Sequence, residues 1–263
     1  MQPLKGKVAL VAGATRGAGR GIACMLGEAG AIVYCSGRST RAHPSTTGFY
    51  AGRPETIDET AEMVTRYGGV GIPVRTDHLV PEQVEALVAR VRDEQGRLDV
   101  LVNDMSEGEY HEWKPFWKVS VEKGFRMLHN GLHSHIITCR YAAGLMVEQG
   151  SGLIVEIGDG DTLNYRQTLF YDLVKMSVSR LAYALAEELY KHGVAAVAVT
   201  PGFMRTEAIL ESFGVTEANW RHAAENNPKA KSYGFIDSET PCFVGRAIAA
   251  LAADPRVDRK AHV

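Results

Sequence analysis

The stretch Val8-Ala-Leu-Val-Ala12-Gly13-Ala-Thr-Arg-Gly17-Ala-Gly19-Arg-Gly21-Ile22 decides the fold. A short apolar run, typical of a buried strand, ends at a glycine-rich turn that opens a helical segment. Glycines at such a turn permit close backbone approach, and the N–H groups at the start of the helix can meet a pyrophosphate. The order strand, turn, helix predicts a dinucleotide-binding unit, although the spacing is G-x-x-x-G-x-G rather than G-x-G-x-x-G. The alternative is a glycine-rich turn without a ligand.

The rest of the chain repeats this alternation of strand and helix. Short apolar runs predict strands at Val8–Ala12, Ala31–Tyr34, Val70–Val74, Leu98–Val102, Leu153–Ile157 and Val194–Val199, each buried on both faces. Helical patterns lie between them at about Ala18–Ala29, Glu55–Tyr67, Pro81–Gln95, Val119–Glu148 and Phe170–His192. The alternation predicts an α/β fold, a doubly wound parallel sheet of the Rossmann-like kind with helices on both faces.

Composition favours one ordinary globular enzyme domain. The 263 residues contain no linker between two zones of composition, so a single domain over 1–263 is expected, with substrate-side loops at about 104–118 and 207–241. A net charge of −2 leaves no basic surplus for nucleic acid. The four cysteines form no C-x-x-C pair, and spacing gives no metal site. The N-terminus fits neither a signal peptide nor a membrane span, so we expect a cytoplasmic protein without a membrane partner.

The end of the second predicted strand bears on the choice of cofactor. An enzyme that uses NAD presents a carboxylate there to the ribose 2′-hydroxyl, whereas this chain has Arg38 and Ser39. Arg38, together with Arg16 in the glycine turn, can clamp a 2′-phosphate. The sequence therefore predicts NADP(H) rather than NAD, with two solvated arginines as the alternative.

Further motifs follow the later strands. Asp77 lies after the third strand and Asn103 ends the fourth. Tyr171-Asp-Leu-Val-Lys175 opens the long helix after the fifth strand, and Pro201-Gly202 with Thr206 follows the sixth. Residues at i and i+4 share one helical face, so the Lys175 cation can stabilise a Tyr171 phenolate.

Together these motifs resemble the classical short-chain dehydrogenase/reductase superfamily over nearly the whole chain. The resemblance implies that Tyr171 donates or accepts the substrate proton, while Lys175 holds the nicotinamide ribose and lowers the pKa of Tyr171. It also implies a homodimer or homotetramer formed through the fourth and fifth predicted helices. The candidate cofactor-binding residues are Gly13, Thr15, Arg16, Gly17, Gly19, Arg38, Ser39, Asp77, Asn103, Tyr171, Lys175, Pro201, Gly202 and Thr206.

Three polar positions depart from the family pattern. Asp159 stands where the family has its catalytic Ser, twelve residues before Tyr171. Gly131 stands at the family's Asn, with Asn130 one residue away, and Asn103-Asp-Met-Ser106 replaces Asn-Asn-Ala-Gly. The sequence is therefore identified as an atypical member of the superfamily.

Asp159 completes the predicted catalytic set with Tyr171 and Lys175. Two ionised groups at about 4 Å repel each other by ~4 kcal/mol at an effective dielectric constant near 20. We therefore expect Asp159 either to be protonated and to donate a hydrogen bond to the substrate, or to pair with a cationic substrate such as an iminium ion. The alternative is a turn residue that points away.

The predicted function is an NADPH-dependent reductase that acts on a carbonyl or imine-like group of a small organic substrate. The alternatives are a non-redox cyclase, dehydratase or isomerase on the same fold, or a non-catalytic NADP-binding protein. Trp113, Phe116 and Trp117 either form an aromatic wall of the substrate cleft or pack within a long loop. The polar C-terminal segment 254–263 gives no confident seventh strand.

Overall fold

A computed structural model describes residues 2–46, 50–109, 111–160, 164–166 and 168–257. Its core is a six-stranded sheet in the order β3-β2-β1-β4-β5-β6. Every neighbouring pair is parallel. The strands are β1 (Val8–Ala12), β2 (Ile32–Gly37), β3 (Val70–Arg75), β4 (Val100–Asn103), β5 (Gly152–Ile157) and β6 (Val194–Val199). The predicted doubly wound parallel sheet is confirmed.

Helices cover both faces of this sheet. They are α1 (Gly17–Glu28), α2 (Ile57–Arg66), α3 (Pro81–Gln95), α4 (Val121–Leu128), α5 (Ser134–Gln149), α6 (Leu169–Leu189), α7 (Glu207–Ser212), α8 (Trp220–Asn226), α9 (Pro228–Ser232) and α10 (Pro241–Ala253). One face packs on α1, α2 and α10 through residues such as Ile22 and Ile248, and the other packs on α3, α5 and α6 through residues such as Leu87 and Met146. Burial of these apolar faces places the sheet at the centre of one α/β domain.

Two expectations about single elements were wrong. The segment predicted as one helix, Val119–Glu148, forms α4 and α5 with a π-helical turn at His129–His133 between them. Neither edge strand is buried on both faces, since Val70 in β3 is 53% exposed and Ala198 in β6 is also exposed. As an edge strand β3 has one hydrogen-bonding side without a partner strand in the described sheet, which also explains how Pro73 is tolerated.

The long excursion after β6 forms a small folded unit, residues 205–239, which we call the cap. It contains α7, α8 and α9 and has its own hydrophobic cluster around Trp220 and Phe235. A bridge between Met204 and Glu239 joins its two ends. The predicted 207–241 loop is therefore a structured cap with its own core.

The C-terminal helix α10 ends at Ala253. The prediction for segment 254–263 concerns mostly residues 258–263, which lie outside the described residues. In the part of the chain that is described, no helix has the length and apolar character needed to cross a membrane.

Candidate active site

A cleft of about 670 Å³ opens at the carboxyl ends of the strands. This is the edge at which open α/β sheets bind ligands, beside the point where the strand order reverses. The predicted cofactor residues that line the cleft are Gly13, Thr15, Arg16, Gly17, Arg38, Ser39, Asp77, Lys175 and Thr206. Residues that are far apart in the sequence are thus brought to one cleft.

The glycine turn is packed too closely for larger residues. A Cβ on Gly13 would lie 2.4 Å from the Asp104 carbonyl oxygen, and Gly13 has φ +90°. A Cβ on Gly19 would lie 2.3 Å from the Gly13 carbonyl oxygen. The turn from β1 into α1 therefore requires glycine at both positions.

Two carboxylates accept hydrogen bonds from the N–H groups of this turn. The Gly19 N–H donates to Asp104 Oδ2 at 2.5 Å, and the Gly17 N–H donates to Glu207 Oε2 at 2.9 Å. Burial raises the pKa of Asp104 to about 6, although Lys175 and the Gly19 N–H act to lower it. Sequence reasoning missed both roles. Glu207 carries no local signal, because it lies 190 positions from its partner.

The neighbouring ends of β2 and β3 present two arginines to the cleft. Arg38 and Arg75 both line it, and Arg75 Nε donates to the Arg38 carbonyl oxygen at 3.3 Å. Arg75 was not predicted from the sequence, because only the pairing of Gly37 in β2 with Arg75 in β3 brings Arg75 to the cleft.

Arg16, the second arginine of the predicted clamp, has other partners. Its Nε donates to Glu55 Oε2 at 3.1 Å, and its guanidinium lies 4.4 Å from the ring centroid of Tyr50. Its buried Nη2 has no hydrogen-bond partner among the described residues. Arg16 still lines the cleft, so an anion there can reach it.

The predicted catalytic residues meet at the start of α6. The Tyr171 hydroxyl donates to Asp159 Oδ2 at 2.6 Å, and Lys175 Nζ lies 5.7 Å from the centroid of the Tyr171 ring. Arg166 Nε donates to the Asp159 carbonyl oxygen at 2.5 Å, and this hydrogen bond holds the backbone of Asp159 in place. Asp159 therefore faces Tyr171.

The ionisation of Tyr171 runs against what the resemblance implies. Burial, then the hydrogen bond and charge of Asp159, raise the pKa of Tyr171 well above its usual value. The resemblance implied a pKa lowered by Lys175. In this site the phenol keeps its proton at neutral pH, and the lowered pKa that the resemblance implies would require the charge of Asp159 to be paired or removed.

A second pair of ionisable groups lies against Tyr171. The His111 ring packs on the Tyr171 ring with centroids 4.4 Å apart, and His111 Nε2 lies 2.9 Å from Glu107 Oε1. Burial acts to raise the pKa of Glu107, but His111 and Lys175 outweigh it and lower the pKa. Both residues belong to the predicted substrate-side loop, yet no sequence motif marked them.

The π-helical turn carries the position expected for the family's Asn. Asn130 Nδ2 donates to the Glu107 carbonyl oxygen at 3.1 Å, and Asn130 lines the cleft. A Cβ on Gly131 would lie 2.7 Å from Val174 Cγ1, so glycine permits the close approach of α6. Asn130 thus reaches the cleft from one residue before the expected position.

Asn103 has its side chain in the interior. Its Nδ2 donates to Glu156 Oε1 at 2.6 Å, and the other oxygen of Glu156 lies 2.5 Å from His135 Nδ1. His135 Nε2 in turn lies 3.0 Å from the Met105 carbonyl oxygen. This buried network joins β4 to β5 beneath the cleft, and a cofactor contact by Asn103 stays a prediction.

The remaining predicted cofactor residues lie at loop ends. Asp77 Oδ1 accepts the Leu79 N–H at 3.0 Å, and Thr206 Oγ1 accepts the Ile209 N–H at 3.4 Å. Pro201 and Gly202 follow the end of β6. The described groups of His, Cys, Asp and Glu include no cluster of three suited to a metal ion.

The aromatic residues of the substrate-side loop are exposed. Trp113 is 68% and Trp117 is 73% exposed, and Phe116 lies between them at 63%. Trp113 lies edge-on to His111 and Phe116 lies edge-on to Trp117, each pair with ring centroids 6.3 Å apart, so these side chains contact their own loop and not the domain core. Their role as a substrate wall stays a prediction.

Comparisons with known proteins agree with this geometry. A sequence profile described as short chain dehydrogenase matches residues 7–213. The chain is 34% identical to mouse (Mus musculus) "Dehydrogenase/reductase SDR family member 1", over 97% of this chain and 77% of that protein.

Solved structures share the same fold. A short-chain type dehydrogenase/reductase from Mycobacterium marinum superposes with a TM-score of 0.74 at 24% identity, covering 99% of this chain and 92% of that one. A variant of actinorhodin polyketide ketoreductase with NADPH gives a TM-score of 0.74 at 23% identity, covering 96% and 92%. From the profile match, the curated relative and the strand order, the chain belongs to the short-chain dehydrogenase/reductase family and is an oxidoreductase of that type.

Proposed function

We propose that the protein is an NADPH-dependent reductase of a carbonyl or imine-like group in a small organic molecule. The observation that carries this proposal is the Tyr171 hydroxyl, which donates a hydrogen bond to Asp159 Oδ2 at 2.6 Å on the helix that brings Lys175 into the cleft. A reduction needs a proton donor, whereas oxidation of an alcohol needs a base.

The residues present fit a nicotinamide dinucleotide with a 2′-phosphate. The glycine turn has backbone N–H groups that would bind a pyrophosphate, and Arg38 and Arg75, which line the cleft at the ends of β2 and β3, would bind the 2′-phosphate. Arg16 adds a buried nitrogen that has no partner among the described residues. Lys175 and Thr206 would hold the nicotinamide end. When bound, NADPH supplies the hydride.

The chain's own part in the chemistry is the movement of one proton. Tyr171 would give its hydroxyl proton to the substrate oxygen or nitrogen, which becomes more basic when the adjoining carbon is reduced. With a neutral carbonyl substrate, Asp159, 2.6 Å away, would have to take up a proton when the substrate binds, so that it returns a proton to Tyr171 and two anions do not face each other. With an iminium substrate, an ionised Asp159 pairs with the cation instead.

A non-redox reaction is the second candidate. The Glu107-oriented imidazole of His111 packs on Tyr171, so an acid and a base share one site. Such a pair suits a dehydration or an isomerisation.

Cofactor binding tests the first part of the proposal. We expect NADPH to bind more tightly than NADH in a fluorescence titration, because two arginines face the 2′-phosphate. Arg38→Ala and Arg75→Ala each weaken NADPH binding about tenfold, the loss of one charge-assisted contact, and leave NADH binding unchanged. Arg90→Ala, an exposed arginine on α3, is the control. Equal binding of both nucleotides would contradict the assignment of NADP.

Turnover tests the second part. Cyclic ketones and cyclic imines are offered with NADPH, and consumption is followed by absorbance. Tyr171→Phe lowers the rate by about 10²- to 10⁴-fold, the usual contribution of a positioned acid. Product formed without loss of NADPH absorbance would decide for the non-redox candidate.

We also propose a homo-oligomer. Exposed apolar residues lie on α5 and α6, among them Ile136 at 45%, Leu173 at 41% and Tyr183 at 54%. Light scattering of the protein and of Tyr183→Arg checks this: a dimer or tetramer that dissociates in the variant supports the proposal, and a monomeric wild type contradicts it.

A further inference from the structure

We propose that Glu207 is an internal ligand of the pyrophosphate site, so that the dinucleotide must displace its carboxylate before it can bind the glycine turn. The inference rests on the proposed cofactor and adds a residue that sets its affinity. No motif of the cofactor site includes Glu207, which belongs to the cap.

The geometry is that of a bound anion. Glu207 Oε2 accepts the Gly17 N–H at 2.9 Å, and Glu207 Oε1 lies 3.6 Å from Arg20 Nε. Gly17 is the first residue of α1, where N–H groups have no partner within the helix and the helix end is positive. The Gly17 N–H has a single hydrogen to donate. While Glu207 accepts that hydrogen bond, a phosphate oxygen cannot accept it.

A second carboxylate adds to the competition. Asp104 accepts the Gly19 N–H at 2.5 Å, on the same turn. A pyrophosphate that approaches the turn therefore meets two acidic side chains at the groups that would bind it. Asp104 belongs to the loop after β4 and is enclosed by the turn, whereas Glu207 comes from the cap, so Glu207 is the one that can leave.

The cap folds as one unit, and Glu207 belongs to its first helix. Its cluster around Trp220 and Phe235 is separate from the two clusters that flank the sheet. A second ion pair joins Glu211 of the cap to Arg53, which also pairs with Glu55. Glu207 and Glu211 thus tie the first helix of the cap to the start of α1 and to the segment before α2.

The test compares two charge-removing substitutions one turn apart on the same helix. NADPH and NADH are titrated by nicotinamide fluorescence against the full-length wild type, Glu207→Gln and Glu211→Gln. Glu207→Gln is expected to bind both nucleotides about tenfold more tightly, since a charge-assisted bond no longer has to be broken. Glu211→Gln, which loses the same charge but contacts Arg53, stays within about twofold of wild type.

Two further measurements make the result specific. Adenosine 2′-monophosphate, which reaches the arginines but carries no pyrophosphate, binds wild type and Glu207→Gln equally. Glu207→Ala, whose folding is checked by circular dichroism, tightens dinucleotide binding as Glu207→Gln does. Affinity unchanged or weakened in both Glu207 variants overturns the inference and leaves the proposed function standing. If no form of the protein binds either nucleotide, both are overturned.

Discussion

The two halves of the sheet meet different physical demands. At the ends of β1 and β2, backbone atoms of the glycine turn approach so closely that an added Cβ would lie 2.3 to 2.4 Å from a carbonyl oxygen. At the ends of β4 and β5 the turn and the catalytic tyrosine meet carboxylates instead, since Asp104 accepts the Gly19 N–H and Asp159 accepts the Tyr171 hydroxyl. The cofactor half is constrained by space, whereas the catalytic half is defined by charge. Substitutions in the two halves should therefore fail in different ways.

The largest effect is expected in the cofactor half. Gly19→Ala places a methyl group 2.3 Å from the Gly13 carbonyl oxygen, and the turn has to open. We expect a loss of about 3 kcal/mol in the free energy of unfolding, at the upper end for overpacking, together with loss of NADPH binding. Urea unfolding and nucleotide titration measure both.

Gly144→Ala is the matched control. Gly144 lies within α5, and its added Cβ would meet nothing within 4 Å. Alanine in a helix interior should raise the free energy of unfolding by about 0.5–1 kcal/mol. A Gly19→Ala protein as stable as wild type would show that steric fit does not govern the cofactor half.

The next effect concerns charge in the catalytic half. Asp104 has a pKa of about 6 in the folded protein against 3.8 for a free side chain. The folded state therefore binds the Asp104 proton more tightly than the unfolded state does. The protonated carboxyl stabilises the fold fully below about pH 4, and this contribution is lost as the pH rises through 6. Asp104→Asn, whose amide oxygen can still accept the Gly19 N–H, should be about 2 kcal/mol more stable than wild type at pH 7.5.

The pH dependence separates this effect from a simple change in packing. The advantage of Asp104→Asn should shrink toward pH 5 in urea unfolding, because wild type then carries a proton on Asp104. Asp93→Asn removes an exposed carboxylate on α3 and should give the same small difference at both pH values. A constant advantage at pH 5 and pH 7.5 would mean that the charge of Asp104 is not the cause.

The smallest effect is expected at the mouth of the catalytic half. Trp117 is 73% exposed, so Trp117→Ser should change the free energy of unfolding by less than about 0.5 kcal/mol. Trp220→Ser, in the buried cluster of the cap, is the contrasting variant and should destabilise the cap by about 3 kcal/mol, measured by limited proteolysis. A large loss of stability in Trp117→Ser would assign that side chain a packing role.

Local patterns predicted much of the fold and part of the site. The apolar runs at Val8–Ala12 and Val194–Val199 coincide with β1 and β6. Burial along the whole strand explains the run in β1, whereas only the first half of the edge strand β6 is buried. Tyr171 and Lys175 share a helix, so their spacing alone brings them together. Arg75 was missed because its position beside Arg38 depends on the pairing of β2 with β3, which no local pattern encodes.

The sequence by itself determined the order of strands and helices, the glycine turn and the residues of the catalytic helix, because each depends on neighbours within a few positions. Only the tertiary structure decided which charges meet. Asp159 bonds to Tyr171 across a loop, and Glu207 reaches Gly17 over 190 positions. Electrostatic interactions act through space and depend on burial, so the ionisation of Tyr171 and Asp104 follows from the folded arrangement rather than from the order of residues.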